Sequence, residues 1–199
     1  MEKIGIFGGT FNPIHNGHKA LAQHYIEALE LDRLLVIPTA APPHKQAADL
    51  LSGRERLLMC QLAFEDVPKA QLCDIEIRRQ GKSYTVDTLR ELTALYPEAR
   101  FYLLCGSDMF LTFTKWREWK KILSKVTLCT AARDAGELQK LTEHEKLLSR
   151  YGQTKVFDFP VLRLSSTQIR QHIREKQDCS ELLPPGVWEH IRKNNLYRG

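Results

Sequence analysis

The feature that most constrains this chain is an alternation. Short aliphatic runs, KIGIF at 3–7, LLVIP at 34–38, LCDIEI at 72–77, FYLLC at 101–105 and VTLCTAA at 126–132, are separated by longer stretches with apolar residues at helical spacing. Strands that each lead into an amphipathic helix can pair side by side only in parallel, because the helix must carry the chain back across the sheet. The pattern therefore predicts an α/β fold built on a doubly wound parallel sheet. Helices are expected over 18–30, 54–64, 86–96 and 116–123. In the first, Leu21, Tyr25, Ala28 and Leu29 would form the stripe facing the sheet, with Lys19, Gln23 and Glu27 opposite. A charged surface helix is expected over 137–150, a last strand at KVFDFP (155–160), and a small C-terminal helical region over 166–176 and 187–194. No repeat, low-complexity tract or linker divides the sequence, so one domain is expected over 1–199.

Composition narrows the setting. The five cysteines, Cys60, Cys73, Cys105, Cys129 and Cys179, are odd in number, far apart and free of any C-x-x-C pair. Neither a disulfide framework nor a zinc knuckle is indicated, and a reducing cytoplasmic location is expected. The apolar runs are far shorter than the roughly 20 residues of a spanning helix. The opening Met-Glu-Lys lacks the basic and apolar regions of a signal peptide. No membrane association is expected. With 29 basic and 24 acidic residues the formal charge is +5, which favours anionic partners without choosing among them. The basic residues are scattered rather than gathered in a stripe with stacking aromatics, so nucleic acid is not an expected partner.

Ligands of an open parallel sheet bind beyond the carboxyl ends of its strands. The loops there are GGTFNPIHNGH (8–18), PTAAPPHK (38–45), GSD (106–108) and LSSTQIR (164–170). In the first, Gly8 and Gly9 let backbone N–H groups approach a ligand, and the helix that follows adds the positive end of its dipole, which together make a phosphate cradle. It is neither G-x-G-x-x-G nor a Walker loop. His15 and His18, three apart at the start of the helix, could face one phosphate. H-x-x-H could also supply two zinc ligands, but neither histidine has a Glu beside it and no cysteine is near, so no protein-bound metal is expected. In LSSTQIR, Ser166 or Thr167 would cap a helix and Arg170 would project from its first turn. Arg133, at another strand end, would add a phosphate or carboxylate contact.

GGTFNPIHNGH resembles the G-G-[ST]-F-x-P-x-H-x-G-H signature of the nucleotidyltransferase superfamily, and LSSTQIR resembles its second signature, I-S-S-T-x-I-R. PPHK, SYTVDTL, GSD and W-R-E-W, in that order, make the whole chain similar to the bacterial nicotinate-nucleotide adenylyltransferases. Asn12 stands where that family often has Asp, and Leu164 where Ile is usual. The resemblance implies a Rossmann-like sheet of the HxGH type and transfer of the adenylyl group of ATP to nicotinic acid mononucleotide, giving nicotinic acid adenine dinucleotide and pyrophosphate in NAD biosynthesis. Magnesium would come with ATP. By the same resemblance His15, His18 and Arg170 would be catalytic. Gly8, Gly9, Thr10, Phe11, His44, Lys45, Gly106, Asp108, Ser165, Ser166 and Thr167 would bind ATP and its phosphates. Tyr84, Thr85, Trp116 and Arg133 would hold the nicotinate nucleotide. Lys115 and Arg117 flank Trp116 and suit a nicotinate carboxylate. Trp119 is as well placed for the core as for the ligand.

Two other readings are open. Pantetheine-phosphate adenylyltransferases share the first motif but lack SYTVDTL and W-R-E-W, and a non-catalytic nucleotide sensor could use the same fold. A class I aminoacyl-tRNA synthetase needs an anticodon domain and a K-M-S-K-S loop, both missing. A homo-oligomer stays open.

Overall fold

A computed structural model describes residues 1–40, 49–79, 81–132, 134–159 and 161–198. Its strands are β1 (Lys3–Gly9), β2 (Arg33–Pro38), β3 (Ala70–Leu72), β4 (Arg100–Leu104), β5 (Val126–Ala131) and β6 (Thr154–Phe157). Between and after them come helices α1 (Asn16–Ala28), α2 (Gly53–Phe64), α3 (Ile75–Arg79), α4 (Thr85–Leu95), α5 (Ser107–Leu111), α6 (Trp119–Leu123), α7 (Ala135–Leu148), α8 (Ser166–Arg174) and α9 (Pro185–Lys193). Every strand pairing is parallel, and the described residues form one sheet in the order β3-β2-β1-β4-β5-β6. The winding reverses between β1 and β4. A crevice must open there, because the connections on either side leave in opposite directions.

Alternation along each strand divides the core in two. Ile4, Ile6, Leu35, Ile37, Phe101 and Leu103 face one layer, closed by Leu89 and Leu92 of α4, Phe110 of α5 and Leu141 of α7. Phe7, Leu34, Val36, Tyr102 and Leu104 face the other, closed by α1, α2, α8 and α9 through Tyr25, Met59, Ile169 and Val187. The C-terminal helices thus complete one covering layer of the sheet. Among the described residues no helix is long and apolar enough to cross a membrane.

Three local expectations change. LCDIEI is not one strand: β3 stops at Leu72 and 75–79 turn into α3. Ile75 and Ile77 fit a strand's alternation, but β3 lies at the sheet edge and pairs only with Leu34, Leu35 and Val36, so no ladder continues past it. Asp74 then starts the helix, its carbonyl accepting Arg78 N–H. Trp116 lies outside the helix that W-R-E-W suggests: a 3-10 turn at Phe113–Lys115 precedes it, Glu118 adopts a left-handed φ of 54°, and α6 begins at Trp119. In α1 the buried face is Gly17, Ala22, Tyr25 and Ile26, continued by Leu29, while Ala28 is exposed and Leu21 half-buried. The helix is rotated from the expected stripe because Tyr25 and Ile26 share the inward face.

That rotation is testable. Ala28→Glu should leave thermal stability within about 0.5 kcal/mol, whereas Ala22→Glu should lower it by about 3 kcal/mol or more. Equal losses in calorimetry would contradict the observed face.

Candidate active site

The crevice at the winding reversal is an open cleft of about 790 Å³ beyond the carboxyl ends of β1 and β4. The loop after β1 supplies Gly8, Gly9, Thr10, Phe11, His15 and His18 to its lining. From the loop after β4 come Gly106, Ser107 and Asp108, and from the start of α8 come Ser165, Ser166, Thr167 and Arg170. Three loops far apart in sequence therefore meet at one place. His44, Lys45 and Arg133 lie outside the described residues.

His15 is the N-cap of α1, and the two histidines cap one another. His18 N donates to His15 Nδ1 at 3.3 Å and His15 N donates to His18 Nδ1 at 3.3 Å. This is a capping box made of imidazoles, with each Nδ1 in the acceptor role a Ser or Glu oxygen usually plays. The rings stack with centroids 3.7 Å apart. Two charged imidazoles could not stack at that distance without strong repulsion. Burial accordingly pushes His15 down to about 4, and burial together with His15 holds His18 well below the ordinary imidazole value. Both rings are neutral, and because each Nδ1 accepts, each proton sits on Nε2. The pair therefore offers two N–H donors rather than metal ligands or a base.

Glycines allow this packing. A Cβ on Gly17 would stand 3.1 Å from His15 Nδ1 and 3.1 Å from Leu162 O. One on Gly9 would stand 2.7 Å from Cε1 of Phe11, whose ring meets His18 edge-on at 5.2 Å. So the glycine between the histidines makes room for their stack.

The hydroxyl run of LSSTQIR is arranged differently from the expectation that Ser166 or Thr167 is the cap. Ser165 is the N-cap of α8, its Oγ accepting Thr167 N–H at 3.3 Å. Ser166 instead donates from Oγ to Pro13 O at 2.9 Å, and Arg170, one turn further on, donates from NH1 to Asn12 O at 2.8 Å. Arg170 Nε is buried with no hydrogen-bond partner among the described residues. The second motif is thus fastened onto the first. On the other wall Ser107 donates to Glu137 at 2.6 Å, and Asp134, the N-cap of α7, pairs with Arg163.

Two buried groups fix the loop from behind, Arg56, which sequence reasoning passed over, and Asn12. Arg56 of α2 is fully buried and donates to three backbone carbonyls: Thr10 at 2.7 Å, Leu51 at 3.0 Å and Ala40 at 3.1 Å. Asn12 donates from Nδ2 to Asp49 O at 2.9 Å, and its Oδ1 accepts Leu51 N–H at 3.3 Å and the Tyr197 hydroxyl at 2.8 Å. An Asp at 12 could accept the latter two bonds but not donate the first, which is what the departure from the family pattern changes here. The only hint of Arg56 in the sequence is its spacing of three, four and seven residues from Met59, Cys60 and Ala63, which puts an arginine on the apolar face of α2.

Tyr84, Thr85 and Trp116 do not line this cleft. Tyr84 is the N-cap of α4 and lies under the Arg117 guanidinium at 4.8 Å, while Trp116 packs on Phe113 at 5.2 Å and Trp119 on Tyr151 at 5.0 Å. Tyr84, Trp116 and Trp119 are only partly buried, against the α4 side of the core. The segment is nevertheless tied to the cleft. Thr39 N donates to Gly9 O at 2.9 Å, and the next residue, Ala40, donates its N–H to Ser83 Oγ at 3.1 Å.

The chain is similar to known proteins in sequence and in fold. The cytidylyltransferase-like family matches residues 6–172. The probable nicotinate-nucleotide adenylyltransferase of Shewanella pealeana is 37% identical, covering 99% of this chain and 96% of the relative. That of Oceanobacillus iheyensis is 39% identical, covering 99% and 97%. Among solved structures, the Plasmodium falciparum nicotinic acid mononucleotide adenylyltransferase complexed with NaAD has the same fold, with a TM-score of 0.81 at 20% identity over 99% of this chain and 98% of that one.

Arg56→Met should lower stability by about 3 kcal/mol or more, because three buried carbonyls lose their donor. Tyr197→Phe should cost about 1 kcal/mol, one hydrogen bond to Asn12. Urea unfolding of both variants checks the order, and an Arg56→Met loss below that of Tyr197→Phe would contradict it.

Proposed function

The chain belongs to the cytidylyltransferase-like family and, within it, to the nicotinate-nucleotide adenylyltransferases, and from that membership we propose how its own residues carry the reaction. Its activity is transfer of the adenylyl group of ATP to nicotinic acid mononucleotide, with release of pyrophosphate. The phosphate of the mononucleotide is already a nucleophile, so the protein needs no activated Ser or Cys. It must align two anions and offset the charge that develops on the α-phosphoryl group.

The observation that carries this reading is the stacked pair of imidazoles lining the cleft, each Nδ1 turned to the other's backbone N–H so that Nε2 is the donor. His18 donates to the α-phosphoryl oxygens and His15 steadies the phosphates, with backbone N–H groups of Gly9 and Thr10 beside them. Neutral donors hold a polyphosphate without a proton transfer being needed on binding, and their bonds strengthen as charge grows at phosphorus. Arg170 and the N-terminus of α8, with Ser165, Ser166 and Thr167, receive the pyrophosphate that leaves. Gly106 and Asp108 face the adenosine. The phosphate-facing wall presents N–H and O–H donors, so magnesium would take its ligands from the triphosphate and water and offset charge on the leaving group.

At the acceptor end, Tyr84, Thr85 and Trp116 take the pyridine ring and Arg117 supplies the positive charge that a nicotinate carboxylate favours. Their tie through Ser83 and Ala40 to the loop beside Gly9 supports this reading.

Pyrophosphate release with ATP and magnesium should be at least about tenfold faster, as kcat/KM, with nicotinic acid mononucleotide than with the nicotinamide form. Equal rates would remove the acceptor-end assignment. His18→Ala should keep ATP binding within a few-fold and lower kcat by about a hundredfold or more. Near-parental turnover would remove His18 from the chemistry.

A further inference from the structure

Glu76 has no part in the reaction as described, yet it is a carboxylic acid only 8% exposed in the layer under the acceptor segment. Oε1 accepts the Thr88 hydroxyl at 2.8 Å, and Thr88 Oγ1 in turn accepts from Arg79 NH2 at 2.9 Å. Arg79 is held from its other side by Glu91 at 2.6 Å. Glu76 Oε2 is buried with no hydrogen-bond partner among the described residues. Burial pushes the Glu76 carboxyl up, and the hydroxyls of Thr88 and Ser83 favour its ionised form against that.

Ser83 explains why that matters. Its Oγ accepts Ala40 N–H, which leaves its own proton for an acceptor, and the carboxyl whose ionised form this hydroxyl favours is that of Glu76, with a buried and unpartnered Oε2. Ala40 O accepts from Arg56, whose NH1 reaches Thr10 O. From Ser83 a line of hydrogen bonds thus runs through Ala40 and Arg56 to the phosphate loop. Glu76 holds Thr88, in the first turn of α4, by a hydrogen bond and bears electrostatically on Ser83, just before Tyr84 and Thr85. Burying a carboxyl is unfavourable, and a core with an apolar residue here would avoid it.

We propose that Glu76 is a positioning residue for the acceptor nucleotide: by orienting the Ser83 and Thr88 hydroxyls it sets the Tyr84–Thr85 segment relative to the phosphate loop. This rests on the reading of Tyr84, Thr85 and Trp116 as the pyridine-binding end. ATP is handled separately, because Arg56 holds Thr10 without Glu76.

The test varies the two substrates independently with Glu76→Gln, Ser83→Ala, the double variant and Trp116→Ala, with thermal unfolding measured on each. Glu76→Gln and Ser83→Ala should each raise KM for nicotinic acid mononucleotide about tenfold and leave KM for ATP within about twofold, the double variant being no worse than the worse single one. Ser83→Ala carries the test should Glu76→Gln fail to fold. If Trp116→Ala raises the acceptor KM while neither Glu76→Gln nor Ser83→Ala does, the positioning role is overturned and the pyridine reading stands. If Trp116→Ala leaves that KM unchanged as well, the pyridine reading falls and the proposal with it. Parallel rises in both KM values with a lowered melting temperature would reduce Glu76 to a structural group and also overturn the proposal.

Discussion

Each histidine in the first loop gives its Nδ1 to the other's backbone N–H, and that exchange settles the chemistry of the cleft. It satisfies the His15 N–H, gives the His18 N–H a second acceptor beside His15 O, stacks the rings, and leaves a proton on each Nε2. Gly17 is small so that the stack fits, and Phe11 closes over Gly9 and against His18. Burial keeps both rings neutral. A cleft meant to hold phosphates could have used charged side chains throughout, but neutral donors fixed by the backbone need not reorganise as charge shifts from one phosphate oxygen to another.

The loop that carries this pair does not hold itself. Ser166, Arg170 and Tyr197 reach it across 153, 158 and 185 residues of sequence, and Arg56 ties it from α2. The C-terminal region is therefore part of the site's frame. Its helices close one layer of the core, and the same packing that buries Ile169 and Ile173 aims Ser166 and Arg170 at the loop.

The parallel sheet and the convergence of three of the loops were legible in the sequence, because aliphatic runs followed by helical spacing favour parallel pairing and strand ends collect the loops. Both histidines were legible as residues of one cleft, but their tautomers were not, since those follow from a cap geometry that two-letter spacing does not encode. Ser165 rather than Ser166 or Thr167 as cap, the end of β3 at Leu72 and the rotation of α1 depend on where the chain is packed, and a run of similar residues leaves each of them degenerate. Arg56 and Glu76 were invisible for a sharper reason. A charged residue in a helix, as Arg56 was expected to be, or alternating with isoleucines in a strand, as Glu76 was, reads as a solvated face, and only tertiary structure shows that these two have backbone carbonyls and hydroxyls around them instead of water.

The most direct measurement is a long-range proton–nitrogen correlation spectrum of the imidazole rings, followed from neutral pH down to about 4. Neutral Nε2–H tautomers for both His15 and His18, with His15 titrating near about 4, are the result this account requires. An Nδ1–H tautomer in either ring, or a His15 midpoint close to the ordinary 6.5, would contradict it.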